Sequence, residues 1–161
     1  MELLDIYDNN GNTTGRTIIR GDKTVKLNDN EHIALAVIIL ENDKNEFLVQ
    51  KTSKEKGSKY SLTGGHVNSK ETPLETIKRE VHEELGIDIS NETIKKYGFI
   101  CYDMPLRYIF YLKKNININD IKIQQEEVEY VKYMTKKEIK ELIDNNKFLE
   151  SHGIIFNKII K

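Results

Sequence analysis

The sequence has few cysteines, no long apolar run and almost no net charge. Its only cysteine, Cys101, excludes an internal disulfide, and the apolar segment 97–102 around it predicts a core position for this side chain. The longest unbroken apolar run, 33–40, has eight residues and is too short to span a bilayer, so we expect no membrane partner. Residues 1–5 lack the basic and apolar regions of a secretion signal, so we expect a cytoplasmic location.

Charged residues make up 32% of the chain, but acidic and basic residues nearly balance, giving a net charge of −1. This balance provides no global attraction to nucleic acid or to a membrane surface. A long RNA substrate would require a basic track, so we expect a small-molecule substrate instead. No repeat, linker or low-complexity tract interrupts the chain, and residues 1–161 are therefore expected to form one domain.

Strand-like segments and helices follow each other without strict alternation, which predicts an α/β (α+β) fold with a mixed sheet flanked by helices. The turn signal Asn9–Asn12 predicts an N-terminal β-hairpin between segments 2–8 and 16–20. A Thr-x-x-Glu capping box at Thr135 predicts a helix, and Ser151 is expected to cap a last helix. The other predicted strands are 33–40, 47–51, 94–102, 106–112 and 128–134.

The most informative segment runs from residue 65 to residue 87. Thr72 is a good N-cap and Glu75 completes a capping box, while Gly86 suits the left-handed end of a helix. Apolar residues at helical spacing form one stripe that should bury against a sheet. Seven residues of this segment fall at fixed offsets: Gly65, Glu71, Arg79, Glu80, Glu83, Glu84 and Gly86.

The glutamates of this helix predict a metal site. Glu80 and Glu84 are one turn apart, about 5–6 Å between their Cβ atoms, and Glu83 lies on the same shoulder. Like charges at this spacing weaken a helix unless a cation neutralises them. A solvated acidic face is the alternative, but it does not explain the joint spacing with Gly65, Arg79 and Gly86. Oxygen ligands without histidine or cysteine favour Mg²⁺ or Mn²⁺ over zinc, and such an ion suits phosphate chemistry.

The spacing matches the Nudix box in full: Gly, five residues, Glu, seven residues, then Arg-Glu-apolar-any-Glu-Glu-any-Gly-apolar. The chain therefore resembles the Nudix hydrolases, metal-dependent enzymes that cut diphosphate linkages. The resemblance implies a Nudix-type α/β/α sandwich and hydrolysis of a nucleoside diphosphate derivative, which releases a nucleoside monophosphate and a phosphorylated remainder. It also implies a homodimer as one oligomeric state.

The resemblance also implies roles for individual residues. Glu80, Glu84 and the carbonyl of Gly65 would bind the metal, and Glu83 would be a further ligand or contact a metal-bound water. Arg79 would hold the cluster in place through a salt bridge with Glu83, four residues further on, or would contact the substrate directly.

Glutamates outside the helix are also candidates. Glu71 either anchors the loop before the helix through hydrogen bonds or takes part in catalysis. A downstream glutamate approaches the metals in many family members, and Glu127 is the candidate here, with Glu126 and Glu129 as alternatives. A solvated acidic edge strand would explain the same three residues.

Lys51, Tyr60 and Arg107 are candidate substrate-binding residues, because they could contact phosphates or stack on a base. His66 follows the glycine pair and could line the site. Each of the four also fits an ordinary surface or half-buried position.

Two other functions fit parts of the sequence. Segment 5–16 resembles the opening of the isopentenyl-diphosphate isomerase branch, but those isomerases use a cysteine near the position of 62–66, where this chain has none. A non-catalytic nucleotide-sensing module would lose a box glutamate, and this chain keeps all of them. Hydrolysis is therefore favoured. The substrate depends on loops outside the box, chiefly 52–60 and 102–108, which contain no decisive motif.

Overall fold

The computed structural model describes residues 2–161 and begins with the predicted N-terminal hairpin. Strands β1 (Leu3–Tyr7) and β2 (Thr13–Ile19) pair antiparallel as a separate two-stranded sheet. Gly11, in the turn, has φ of 82°, and a Cβ atom there would lie 2.6 Å from the hydroxyl oxygen of Tyr108. Glycine therefore allows the turn to lie against the main sheet.

The main sheet has seven strands and mixed directions, as predicted. β3 pairs parallel with β8 and antiparallel with β4 and β6, and the remaining pairs are antiparallel. The path runs β5-β4-β3-β8-β7, with β6 also paired to β3 and β9 paired to β4. The strands are β3 (Ala34–Glu41), β4 (Glu46–Thr52), β5 (Tyr60–Ser61), β6 (Thr63–His66), β7 (Lys95–Cys101), β8 (Leu106–Lys113) and β9 (Val128–Thr135).

Three α-helices flank this sheet: α1 (Pro73–Leu85), α2 (Lys136–Asp144) and α3 (Glu150–Ile159). The side chain of Thr72 accepts a hydrogen bond from the Glu75 amide, so α1 begins at the predicted capping box. Thr135 caps α2 in the same way. Short 3₁₀ turns occupy Lys54–Lys56 and Ile118–Asp120. Within residues 2–161, no helix is long and apolar enough to cross a bilayer.

Alternating residues of β3 face two separate cores. Ala36 and Ile38 pack in one cluster with α1 residues such as Val81. Val37 and Ile39 pack in the other cluster with residues of α2 and α3, including the fully buried Phe156. Period-two alternation along the strand therefore places α1 on one face and α2 and α3 on the other. The predicted mixed α/β/α sandwich is confirmed.

Two side-chain predictions were wrong. Ser151 does not cap α3: the N-cap is Leu149, and Ser151 is buried in the first turn. The start of α3 is fixed by a long-range contact, because the Leu149 amide donates to the Tyr60 carbonyl at 2.8 Å. Cys101 is exposed rather than in the core. It ends β7, which is the edge strand of the sheet path and leaves several residues in contact with solvent.

The packing of α3 can be tested by truncating two apolar residues of this helix. Phe156→Ala should destabilise the protein by about 3–5 kcal/mol, because Phe156 is fully buried and packs edge-on against the Phe47 ring at 5.0 Å. Ile154→Ala, at an exposed position, should change the free energy of unfolding by no more than about 0.5 kcal/mol. Urea unfolding measures both, and equal losses would contradict the assignment of buried and exposed faces.

Candidate active site

The glutamates of α1 line a polar pocket of about 180 Å³ between this helix, β6 and the end of β2. We call it the carboxylate pocket. It brings together Gly65, Arg79, Glu80, Glu83 and Glu84, all of which the sequence predicted to act together. The other residues that line it are Glu2, Arg20, Gly64, His66, Gln124 and Glu127.

Two glycines of β6 allow two close contacts, one with β3 and one with α1. A Cβ atom on Gly64 would collide with the Ala36 carbonyl of the paired strand. A Cβ atom on Gly65 would collide with the carboxylate of Glu80. A larger residue at 65 would therefore displace Glu80, and this steric limit explains why the position is a glycine.

Arg79 is the centre of the ionic contacts in this pocket. Its guanidinium donates to Glu71 at 2.7 Å, to Glu80 at 2.9 Å and to Glu83 at 3.2 Å. It also donates to the His66 carbonyl at 3.1 Å. The hydrogen bond to Glu71 is the main reason that the pKa of Arg79 is raised. Arg79 thus ties α1 to the preceding loop and to β6, and the predicted i, i+4 contact with Glu83 is present.

Glu71 anchors the loop before α1. Its carboxylate accepts hydrogen bonds from the Thr76 hydroxyl at 2.6 Å and from the Asn68 amide at 3.2 Å, besides those from Arg79. Burial by itself raises the pKa of Glu71, but these hydrogen bonds outweigh burial and hold the pKa below its usual value. These contacts agree with the anchoring role that the sequence left open beside catalysis.

Glu84 differs from Glu71 because its pKa is raised rather than lowered. It is buried, with 9% exposure, and its Oε2 atom has no hydrogen-bond partner within residues 2–161. Burial, followed by the nearby charge of Glu80, raises the pKa of Glu84 to about 8. Burial also raises the pKa of Glu80 to about 7. A buried carboxylate oxygen without a partner is costly, and a cation beside it would remove that cost.

The donors present fit a hard divalent cation. The carboxylates of Glu80 and Glu84 and the backbone of Gly65 border one pocket, and oxygen is the ligand that Mg²⁺ and Mn²⁺ prefer. Within residues 2–161, no three acidic, histidine or cysteine side chains already converge in metal-binding geometry. Glu80 and Glu83 instead contact Arg79, so their role as ligands stays a prediction.

Glu127 also lines the carboxylate pocket and forms a 3.3 Å ion pair with Lys56. The alternatives Glu126 and Glu129 do not line this pocket. Glu84 and Glu127 also border an adjoining cavity of about 250 Å³, the side pocket, together with Arg20, Lys56 and His152. These three basic residues were not predicted as site residues. Lys56 belongs to a basic loop that is visible in the sequence, but only the folded chain brings Arg20 and His152 to the same cavity.

The predicted substrate-binding residues lie elsewhere. Lys51 stacks its ammonium over the Tyr60 ring at 4.7 Å, and the Tyr60 hydroxyl contacts that of Tyr130 at 2.6 Å. Arg107 donates to the Tyr102 carbonyl and lies over the Tyr102 ring. None of the three predicted residues lines the carboxylate pocket or the side pocket, and their role stays a prediction. His66 lines both pockets through its position in β6.

His152 is held neutral where it borders the side pocket. Its Nδ1 atom accepts a hydrogen bond from the Leu62 amide at 3.1 Å, which leaves the proton on Nε2. Burial lowers the pKa of His152 to about 3. The imidazole therefore stays uncharged at neutral pH.

The Arg79 contacts predict different costs for two of its partners. Glu71→Gln should reduce the free energy of unfolding by about 1–3 kcal/mol, because Glu71 is mostly buried and accepts several hydrogen bonds. Glu83→Gln removes a partner of the same arginine at a half-exposed position, so its effect should stay within about 0.5 kcal/mol. Urea unfolding of both variants at neutral pH is the measurement. A larger loss in Glu83→Gln than in Glu71→Gln would contradict this assignment.

The buried His152 predicts a loss of stability in acid. The folded-state pKa lies near 3, below the usual value of 6.5, so the unfolded chain takes up this proton first as the pH falls. Stability from this group is complete above about pH 6.5 and declines towards pH 3. His152→Asn keeps an acceptor for the Leu62 amide but cannot titrate in this range. Between about pH 7 and pH 5 the variant should therefore lose less stability than the wild-type chain. Equal losses in urea unfolding would refute the prediction.

Comparison with known proteins agrees with this geometry. The family model of the NUDIX domain matches residues 30–151. A Listeria monocytogenes protein described as an uncharacterized Nudix hydrolase is 30% identical over 154 residues, which cover 92% of this chain and 89% of that protein. An 8-oxo-dGTP diphosphatase of Proteus vulgaris is 34% identical over 79 residues, 48% of this chain and 68% of that protein.

A crystal structure from Deinococcus radiodurans has the same fold. It superimposes with a TM-score of 0.81, covering 99% of this chain and 100% of that one, at 16% identity. The box residues gathered around one pocket, the matched family model and the Listeria relative therefore lead to one conclusion: this chain belongs to the Nudix hydrolase family.

Proposed function

We propose that the chain hydrolyses a diphosphate linkage in a nucleoside diphosphate derivative and depends on Mg²⁺ or Mn²⁺. The products are a nucleoside monophosphate and a phosphorylated remainder. The observation that supports this proposal best is the buried Oε2 atom of Glu84, which has no partner within residues 2–161 and lies in a pocket shared with Glu80 and Gly65. Neither the isomerase nor the sensing alternative gains support from the comparisons.

In this proposal Glu80, Glu84 and the Gly65 carbonyl hold the cation, and Glu83 contacts it directly or through water. When bound, the ion neutralises phosphate charge and lowers the pKa of a coordinated water. Arg79 is a positioning residue, because it restrains the carboxylates of Glu80 and Glu83 through hydrogen bonds.

Residues outside α1 that line the carboxylate pocket or the side pocket would act on water and phosphate. Glu127 is a carboxylate of the carboxylate pocket that lies outside α1, contacts Lys56 and would accept a proton from the attacking water. Arg20 and Lys56 supply positive charge beside the glutamates, which suits the oxygens of a diphosphate. Catalysis would then rest on positioning and charge stabilisation.

The nucleotide part of the proposal draws on the relative from Proteus vulgaris, whose name states that it acts on a nucleoside triphosphate. The carboxylate pocket, at about 180 Å³, is small and polar, which suits a diphosphate better than a nucleobase. The Lys51 and Tyr60 pair and Arg107 lie outside it, so they would contact only a distant part of a substrate.

The test is a panel of nucleoside diphosphate derivatives assayed with Mg²⁺, with Mn²⁺ and with excess chelator. Cleavage should require the ion, and Glu84→Gln should lower kcat by about 10²–10⁴-fold, because the amide binds a divalent cation poorly. The amide also avoids a buried charge, so Glu84→Gln should unfold at no lower temperature than the wild-type chain.

Glu129→Gln is the matched control. It removes an acidic charge from an exposed residue of β9, outside the carboxylate pocket, and should leave kcat unchanged. Cleavage that survives chelation, or a Glu84→Gln enzyme with wild-type kcat, would refute the proposal.

A further inference from the structure

A third and larger cavity opens beside the carboxylate pocket. It has a volume of about 500 Å³, lies between the N-terminal hairpin, the segment that follows it and the main sheet, and is here called the hairpin pocket. Its volume is within the range of small-molecule sites, about 300–1,000 Å³. Most of the residues that line it are aliphatic: Leu4, Ile18, Ile19, Val25, Leu27, Ile33 and Met104.

Three of these side chains are large, apolar and still exposed. Ile19 is 37% exposed, Val25 is 42% exposed and Met104 is 44% exposed. Scattered apolar residues need no explanation, but three that converge on one concave surface form a patch that a ligand can cover. Asp22 and Lys26 also line the hairpin pocket and add hydrogen-bonding groups to it.

The walls of the hairpin pocket are held in place before any ligand binds. The Asp22 carboxylate accepts hydrogen bonds from the amide and the hydroxyl of Thr24, at 2.9 and 2.6 Å. The buried His32 imidazole donates from Nδ1 to the Met104 carbonyl at 2.6 Å. Met104 itself has φ of 109°, a conformation that an L-residue keeps only when its surroundings impose it.

Most of these walls come from outside the segment that matches the family model. Leu4 and residues 18–27 precede residue 30, where the match to the NUDIX model begins. The hairpin pocket therefore lies largely outside the matched domain, and specificity can differ in such segments while the fold stays the same.

The hairpin pocket is continuous with the proposed catalytic centre. Arg20 and His66 line the hairpin pocket, the carboxylate pocket and the side pocket alike. Arg20 is restrained there by a 2.7 Å ion pair with Glu2. A molecule that spans the hairpin pocket and the carboxylate pocket would have its apolar part against the aliphatic side chains and its anionic part at Arg20.

We infer that the hairpin pocket binds the nucleoside of the substrate, with the base against Ile19, Val25 and Met104 and the diphosphate passing Arg20 to the carboxylate pocket. This inference rests on the proposed function for the identity of the substrate. The flat faces of a base are apolar and its edges form hydrogen bonds, which matches aliphatic walls with Asp22 and Lys26 among them. The side pocket, with Lys56 and His152, is left for the phosphorylated remainder.

The test measures binding rather than turnover. Isothermal titration calorimetry on the whole chain compares four nucleoside monophosphates (those of adenine, guanine, cytosine and uracil) with ribose 5-phosphate, which lacks the base. At least one nucleoside monophosphate should bind about tenfold or more tightly than ribose 5-phosphate. Equal affinities for all five ligands would overturn the inference.

Val25→Trp adds a large ring at the mouth of the hairpin pocket. Because Val25 is exposed, the variant should fold normally and bind that nucleotide about tenfold more weakly, while its affinity for ribose 5-phosphate stays the same. Ile118→Trp makes the same kind of change at a similarly exposed residue, 39%, outside the hairpin pocket, and should bind as the wild-type chain does. Wild-type affinity in Val25→Trp would overturn the inference.

Two further controls keep the result decisive. If Val25→Trp does not fold, Ile19→Gln replaces an exposed apolar wall by a polar one of similar size and should weaken base-dependent binding alone.

If a second copy of the chain covers this patch, light scattering would show a wild-type dimer that Val25→Trp converts to a monomer, which would overturn the inference. A chain that binds the base but cleaves no diphosphate would contradict the proposed function and leave the nucleoside site intact.

Discussion

The site depends on carboxylates that are kept away from water. Burial raises the pKa of both Glu84 and Glu80, and the charge of Glu80 adds to the effect on Glu84. Such a pair is unfavourable for folding on its own. Arg79 offsets part of the cost for Glu80, but Glu84 Oε2 has no such partner within residues 2–161. This buried oxygen without a partner, on a carboxyl group whose ionisation is disfavoured by burial, is the physical reason to place a cation here.

The fold provides the burial through one close contact between a helix and a strand. Gly65 in β6 allows the Glu80 side chain of α1 to lie against this strand, and the apolar stripe of α1 packs in the first core. Because this packing fixes the rotation of α1 about its axis, the neighbouring glutamates point towards β6 rather than into solvent. Glu71 then fixes the loop before α1 through Arg79 and Thr76. Stability and chemistry therefore depend on the same few contacts.

The sequence predicted the parts of this arrangement that are local. The capping box at Thr72, the apolar stripe and the glutamates one turn apart all lie within one helix, so their relation follows from helix geometry. The mixed sheet and its flanking helices also follow from strand and helix patterns. The predicted start of α3 was wrong because a long-range contact sets it. The helix begins at Leu149, whose amide donates to the Tyr60 carbonyl, and Ser151 is buried inside the first turn.

Contacts between residues far apart in sequence also determine which side chains line the cavities beside α1. Arg20, Lys56 and His152 are far apart in sequence and carry no motif, yet folding brings them to one cavity beside Glu84. The predicted substrate-binding residues Lys51, Tyr60 and Arg107 lie outside that cavity, and their role stays a prediction. Residue type indicates what a side chain can bind, whereas tertiary structure decides what it can reach.

Anomalous diffraction from crystals soaked in Mn²⁺ tests the central claim most directly. The account predicts an anomalous peak bonded to carboxylate oxygens of Glu80 and Glu84 and to the Gly65 carbonyl, at about 2.0–2.3 Å as oxygen ligands require. Movement of the Glu80 carboxylate away from Arg79 should accompany it. A peak elsewhere in the molecule, with Glu84 still buried and without a bound ion, would contradict the account.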